Sequence, residues 1–293
     1  MSSAVSLRWG AWRPWLVLGR VSNLPTVWSN CLAAWMLGGG GAGHRLGVLM
    51  MGASAVYVAG MLLNDAFDVA HDREHRRERP IPSGQVRAGW VWAAGVLLLL
   101  GGGALLASLG GATLHLGFLL AVSVVIYNAV HKLVPFSTLL MALCRFLLFL
   151  VAGSATANGV TGEIVWSGLA LGGYVVGLST IARTEGKGGL ERWWPLGGLL
   201  LPLALAALTN PPSVWGRAEV AAPVAIWAVW TARSLLLLRR PTPDGARGAV
   251  SGLLAGIVLV DMMAVLPGAL PWGAVFLGLF GAALVLQRWA PAT

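Results

Sequence analysis

Of 293 residues 57% are apolar, and only 20 are basic and 11 acidic, which excludes an ordinary soluble domain, where about a quarter of residues are charged. The net charge of +9 comes from scarcity of acids rather than from an abundance of Lys and Arg, so it does not mark a nucleic-acid partner; a mean hydropathy of +0.76 points to lipid. Cys31 and Cys144 sit inside apolar runs without a CxxC or Cys/His spacing, which excludes a disulfide scaffold and argues against a zinc site.

Charge-free runs mark the predicted elements, because a helix needs roughly 20 apolar residues to cross the hydrocarbon core. The first two spans are 21–44 and 46–64. The run 88–131 holds two more, divided by Ser108-Leu109-Gly110-Gly111, and 133–162 holds a fifth despite Arg145. Spans six to eight fall at 164–182, 193–216 and 220–232. The run 248–287, charged only at Asp261, is split by Pro267-Gly268-Ala269-Leu270-Pro271 into a ninth and a tenth. The reading is an all-α polytopic bundle of nine to ten helices in a single domain over 1–293. Forty glycines suit close helix packing in lipid.

Basic residues bias cytoplasmic loops. Arg8, Arg13 and Arg20 precede the first span, and Arg73, Arg76, Arg77, Arg79 and Arg87 follow the second. Lys132, Arg183, Lys187, Arg192, Arg239, Arg240 and Arg247 follow later even-numbered spans, whereas the opposite loops hold only Arg45 and Arg217. This asymmetry predicts a multi-pass integral membrane protein with a cytoplasmic N-terminus. Residues Met1 to Gly10 lack the pattern of a cleaved signal, so the first span reads as a retained helix.

The end of the second span reads Asn64-Asp65-Ala66-Phe67-Asp68-Val69-Ala70-His71-Asp72. Asn64, Asp68 and Asp72 recur every four residues on one helix face, with Asp65 about 100° round from Asn64. Like charges at this spacing repel, and a helix C-terminus disfavours anions, so a cation is expected. Hard oxygen ligands suit Mg²⁺ completed by water and phosphate oxygens. Solvated pairing with Arg73, Arg76, Arg77 and Arg79 is the plainer alternative. The Arg-rich run, ended by Pro80 and Pro82, reads either as a lipid-headgroup patch or as a lid over a phosphate.

The sequence resembles the UbiA superfamily of intramembrane prenyltransferases. Asn64-Asp65-x-x-Asp68-x-x-x-Asp72 is similar to that family's first aspartate-rich motif, and Glu78-Arg79-Pro80-Ile81-Pro82-Ser83-Gly84 to the loop that follows it. Tyr127 with Lys132 resembles the family's Tyr-x-x-x-Lys region, and Arg20-x-x-Asn23 its phosphate-side asparagine. The resemblance implies a helical bundle around a central cavity, with Mg²⁺ bridging acidic motifs to an isoprenoid diphosphate at the cytoplasmic mouth. Diphosphate departure then leaves a prenyl cation for an acceptor to capture. It assigns Asn64, Asp65, Asp68 and Asp72 to metal and diphosphate, Lys132, Arg79 and Arg183 to the leaving group, and Asn23, Arg145 and Lys187 to further diphosphate contacts. Tyr127 stabilises the cation by its π face or is an interfacial aromatic.

The family's second motif departs from its pattern here, reading Ser179-Thr180-Ile181-Ala182-Arg183-Thr184-Glu185-Gly186-Lys187. Only Glu185, and further on Glu191, offer carboxylates. Either Arg183 and Lys187 replace metal charge on the diphosphate while Glu185 holds one remaining ion, or activity is lost and binding remains. The Ala-Arg-x-Glu form with Cys144-Arg145 resembles the EboC-like branch. Asp261 is expected to pair with an Arg, and His71 to be solvated. The expected function is Mg²⁺-dependent prenyl transfer to an unidentified acceptor in membrane lipid, in an unassigned oligomeric state; the rival is a transporter or binding protein for a polyprenyl phosphate.

Overall fold

Each apolar run bounded by Gly, Pro or charge becomes a helix. A computed structural model describes residues 12–183, 194–239, 243–266, 268 and 270–292. Helix α1 covers 12–18 and leads through a 3₁₀ turn into α2 (Leu24–Leu37), α3 (Gly43–Phe67) and α4 (Val69–His75). There follow α5 (Ala88–Ser108), α6 (Gly111–Val130), α7 (Ser137–Ser154), α8 (Gly162–Arg183) and α9 (Trp194–Thr209). The chain continues with α10 (Ala218–Leu236), α11 (Pro243–Ala264) and α12 (Gly273–Leu286).

All expected spans are present in order, but the described residues form twelve helices rather than nine or ten. Two short ones account for the excess. α1 is separated from α2 by Arg20, which adopts a left-handed φ of 43°. α4 continues α3 beyond a one-residue interruption at Asp68, where the amide of Asp68 still bonds to Asn64 O at 3.0 Å. Seven helices, α3, α5, α6, α7, α8, α10 and α11, are long and apolar enough to cross a membrane. The turn between α5 and α6 lies at Gly110 and Gly111, both at positive φ.

Close packing fixes the bundle. Where α3 meets α5, a Cβ on Gly102 would lie 2.9 Å from Gly52 O, so the backbones approach at a distance that only glycine permits. α8 and α11 are largely buried, and the Tyr174 hydroxyl donates to Leu253 O at 3.0 Å across them. The fold thereby brings the ends of α1, α3, α4, α6 and α8 to one rim, with α3, α6, α7, α8 and α11 lining the interior behind it.

Candidate active site

The acidic motif lies at that rim, and its side chains are nearly withdrawn from solvent: Asn64 is 8% exposed, Asp65 7%, Asp68 8% and Asp72 2%. Burying three carboxylates requires matched cations, and the structure supplies two separate sets. Asp65 and Asp72 lie seven residues apart, which returns a helix to within about 20° of the same face. The Arg79 Nη1 atom donates to Asp65 Oδ1 at 3.0 Å and to Asp72 Oδ2 at 2.9 Å. Arg20 Nη2 adds a longer contact of 3.8 Å to Asp65. Asp68 points elsewhere, to Lys132 Nζ at 2.8 Å and His131 Nε2 at 3.4 Å. Burial alone would raise the pKa of Asp68, but its bonds to His131 and Lys132 outweigh that and hold it below the usual carboxylate value.

The four-residue face expected from spacing is therefore divided. Asn64 donates to Asn128 Oδ1 at 3.2 Å, and Asn128 in turn donates to Gly60 O at 3.0 Å, tying α3 to α6. Pro80 is buried behind Arg79, and Val86 N bonds back to Pro80 O at 3.2 Å, so the Arg79-Pro80-Ile81-Pro82 segment folds over the acids and delivers the guanidinium. His71 is exposed and stacks on His75, as expected for a solvated residue.

Behind the rim opens a cavity of about 360 Å³, within the range of small-ligand sites. Arg20, Asn23, Asn64, Asn128, His131 and Arg183 edge it, Tyr127 and Tyr57 contribute walls, and Met141, Leu148, Leu178 and Ile257 are among its apolar lining. Tyr127 stacks on His131 with ring centroids 5.2 Å apart. Asn23 donates to Ala292 O at 3.1 Å, and its own oxygen has no partner among the described residues. Arg183 is anchored across the rim by Pro135 O at 2.8 Å and by the Ser137 hydroxyl. Glu185, Lys187 and Glu191 lie outside the described residues.

Arg145 is bound by α2 rather than by the acidic helix end. It occupies the middle of α7, eight residues beyond Ser137, about 12 Å along the axis. Its Nη1 donates to Asn30 Oδ1 at 2.8 Å and its Nη2 to Thr26 Oγ1 at 2.9 Å. Asp261 does not pair with it directly. The carboxylate instead accepts from Ser29 and from Asn30 Nδ2, the latter at 2.7 Å, so Asn30 stands between the two charges.

A family model described as the UbiA prenyltransferase family matches residues 22–255. The chain belongs to that family. Membership makes it a membrane prenyltransferase, of a family whose members generally use a divalent metal and an isoprenoid diphosphate. Among solved structures it is similar to digeranylgeranylglyceryl phosphate synthase, at 20% identity and a TM-score of 0.61 over 89% of this chain and 99% of that one. A UbiA homologue from Aeropyrum pernix K1 in its apo form matches at 20% identity and a TM-score of 0.49, over 93% of this chain and 95% of that one. No curated protein matches the chain.

The donor set fits a divalent ion. Among the described residues no three His, Cys, Asp or Glu side chains cluster as a ready metal cage, but Mg²⁺ typically takes only one or two carboxylates and fills its remaining positions with water and phosphate. Asp65 and Asp72 already converge on one cationic atom. Sequence reasoning underrated Arg20, Asn128 and His131. The left-handed backbone at Arg20 is invisible in composition, whereas Asn128 four residues before Lys132 was a readable signal, because that spacing puts both on one face of the helix end.

Proposed function

We propose that this enzyme transfers a prenyl group from an isoprenoid diphosphate to an acceptor inside the membrane, with Mg²⁺ as the divalent ion. The convergence of Asp65 and Asp72 on a single cation at the rim of an apolar cavity supports this reading most directly. Asp65 and Asp72 would hold the ion with Asn64 beside them, and Glu185 is assigned as a further ligand from the sequence. When bound, the ion neutralises charge on the departing diphosphate.

The chain's own residues do the rest. Arg79, released from the carboxylates, turns to the phosphate oxygens; Arg20, Asn23 and Arg183 face the same mouth, and Lys187 joins them from the sequence reading. Asp68 orients Lys132 toward the leaving group through their 2.8 Å contact. Preorganised cations of this kind stabilise charge as it develops on the leaving group. The Tyr127 ring, lining the cavity, faces positive charge on the prenyl carbon, while apolar walls exclude the water that would quench it. One domain over 1–293 carries this chemistry, with the mouth and the N-terminus in the cytoplasm by the distribution of Arg and Lys.

The test is incubation of detergent-purified protein with labelled geranylgeranyl diphosphate, Mg²⁺ and a membrane-lipid extract as the source of acceptor. Mg²⁺-dependent release of diphosphate with label entering a lipid product is expected, and its loss in Asp68→Asn with membrane insertion intact. Tight binding of the diphosphate without release would favour a carrier and overturn the reading.

A further inference from the structure

Helix α12 delivers a piece of the chain into the mouth of the cavity. It buries Phe276 and Ala283 completely, seven residues apart and so nearly on one face. Gln287, at its C-terminal side, donates to Ser251 O of α11 at 3.0 Å. Past that anchor the chain turns through Trp289 and Ala290, whose amides both return to Leu286 O, and runs on as Pro291 and Ala292. α12 and this tail lie beyond the residues 22–255 that the family model matches.

The tail is docked on the site rather than trailing from the bundle. Trp289 is 73% exposed, but the methyl groups of Ala290 and Ala292 are packed away at 1% and 2%. Ala292 lines the cavity together with Arg20 and Asn23, and its carbonyl accepts from Asn23 Nδ2 at 3.1 Å. Among the described residues neither Pro291 nor Ala292 takes part in a backbone hydrogen bond. One side-chain bond and two buried methyl groups therefore hold this stretch in place.

Asn23 faces the mouth that the diphosphate is proposed to occupy. Phosphate oxygens are hydrogen-bond acceptors, so they engage Asn23 only through its amide nitrogen, the atom the tail holds. Asn23 Oδ1, buried and without a partner among the described residues, offers them nothing. The Ala292 carbonyl thus stands where a phosphate oxygen would accept, and the two compete for one donor. The competition is unequal, because a bond to an ionised acceptor is roughly twice as strong as one between neutral groups. Arg20, on the same stretch of rim, attracts the anion further.

We propose that residues 289–292 form an intramolecular plug: in the donor-free enzyme the Ala292 carbonyl occupies Asn23, and an isoprenoid diphosphate binds by displacing it. The proposal rests on the prenyl-transfer reading above and adds regulation to the same site. Gln287 is the fixed end about which the tail leaves, since its bond to α11 does not involve the cavity.

Cysteine labelling of the full, detergent-purified chain tests this. In a background lacking Cys31 and Cys144, Ala292→Cys keeps a small side chain in the docked tail and Trp289→Cys is the exposed control, both treated with N-ethylmaleimide. In donor-free protein the thiol of Ala292→Cys is expected to react about tenfold more slowly than that of Trp289→Cys, as for a tail docked in about nine molecules of ten. Saturating geranylgeranyl diphosphate with Mg²⁺ should remove most of that protection. Ala290→Glu, which forces a charge into a buried position, should free the tail: the Ala292→Cys thiol then labels rapidly without donor, and donor affinity rises by about the same tenfold. Equal labelling of the two thiols in donor-free protein overturns the proposal, as does a protected Ala292→Cys thiol that stays protected when donor is bound. Binding of labelled geranylgeranyl diphosphate is measured on the same preparations. Its absence from both the wild type and Ala290→Glu defeats the prenyl-transfer reading, whereas binding that leaves the tail in place defeats the plug alone.

Discussion

Asp65 and Asp72, on opposite sides of the break between α3 and α4, are held together by one nitrogen of Arg79, at 3.0 and 2.9 Å. The seven-residue separation brings them together, and a single positive atom satisfies both. This pairing explains how two buried carboxylates coexist, and it puts Arg79 where a divalent ion is proposed to bind.

Neutralising either carboxylate should therefore remove metal-dependent turnover. Asp65→Asn and Asp72→Asn are each expected to lower diphosphate release about 100-fold or more, the scale on which loss of a preorganised charge-stabilising group is felt. Steady-state assays across a Mg²⁺ titration check this; a variant that recovers wild-type kcat at high Mg²⁺ has lost only affinity for the ion.

Arg183 reaches the rim from the end of α8, held by Pro135 O and Ser137. Arg183→Ala is expected to raise the KM for geranylgeranyl diphosphate about tenfold or more, the size of a charge-assisted contact. Initial rates over a range of donor concentrations measure it, and an unchanged KM would remove Arg183 from the diphosphate site.

The contact between Asp68 and Lys132 gives a pH signature. Because the folded-state pKa of Asp68 lies below its ordinary 3.8, the contact's contribution to stability is fully present above 3.8 and disappears as pH falls through the lower folded value. In metal-free protein, Lys132→Met should lower Tm by a nearly constant amount from pH 3.8 up to neutral pH, and the gap to wild type should narrow below that range. A gap that widens in acid contradicts the assignment.

Gly102 packs against the backbone of α3, where an added Cβ would come within 2.9 Å of Gly52 O. Gly102→Val is expected to destabilise the bundle by about 1–3 kcal/mol through overpacking. Thermal unfolding followed in detergent shows it as a lower Tm, while Gly101→Ala, with open space around its Cβ position, leaves Tm nearly unchanged.

Orientation is testable at the Arg-rich segment. Ser83 is exposed on the loop after α4. In Ser83→Cys, within a background lacking Cys31 and Cys144, the new thiol should resist a membrane-impermeant maleimide in intact cells and react after permeabilisation. Labelling in intact cells would place the mouth outside.

The sequence by itself determined the membrane class, the order of the spans and the acidic helix end, because hydrocarbon demands long charge-free runs and tolerates carboxylates only at an interface or beside cations. It also marked Asn64, Asp65, Asp68 and Asp72 as belonging to one end of one helix, since helical periodicity is local. Which acid meets which base was a tertiary matter. Arg79 reaches Asp65 and Asp72 because the Pro80 to Val86 turn folds back over the helix end, and Lys132 reaches Asp68 because α6 packs against α3. The same holds for Arg145 and Asp261, charges from distant parts of the chain. Periodicity placed each inside an apolar helix, but only the packing of α2 between α7 and α11 interposed Asn30 and turned an expected ion pair into a relay.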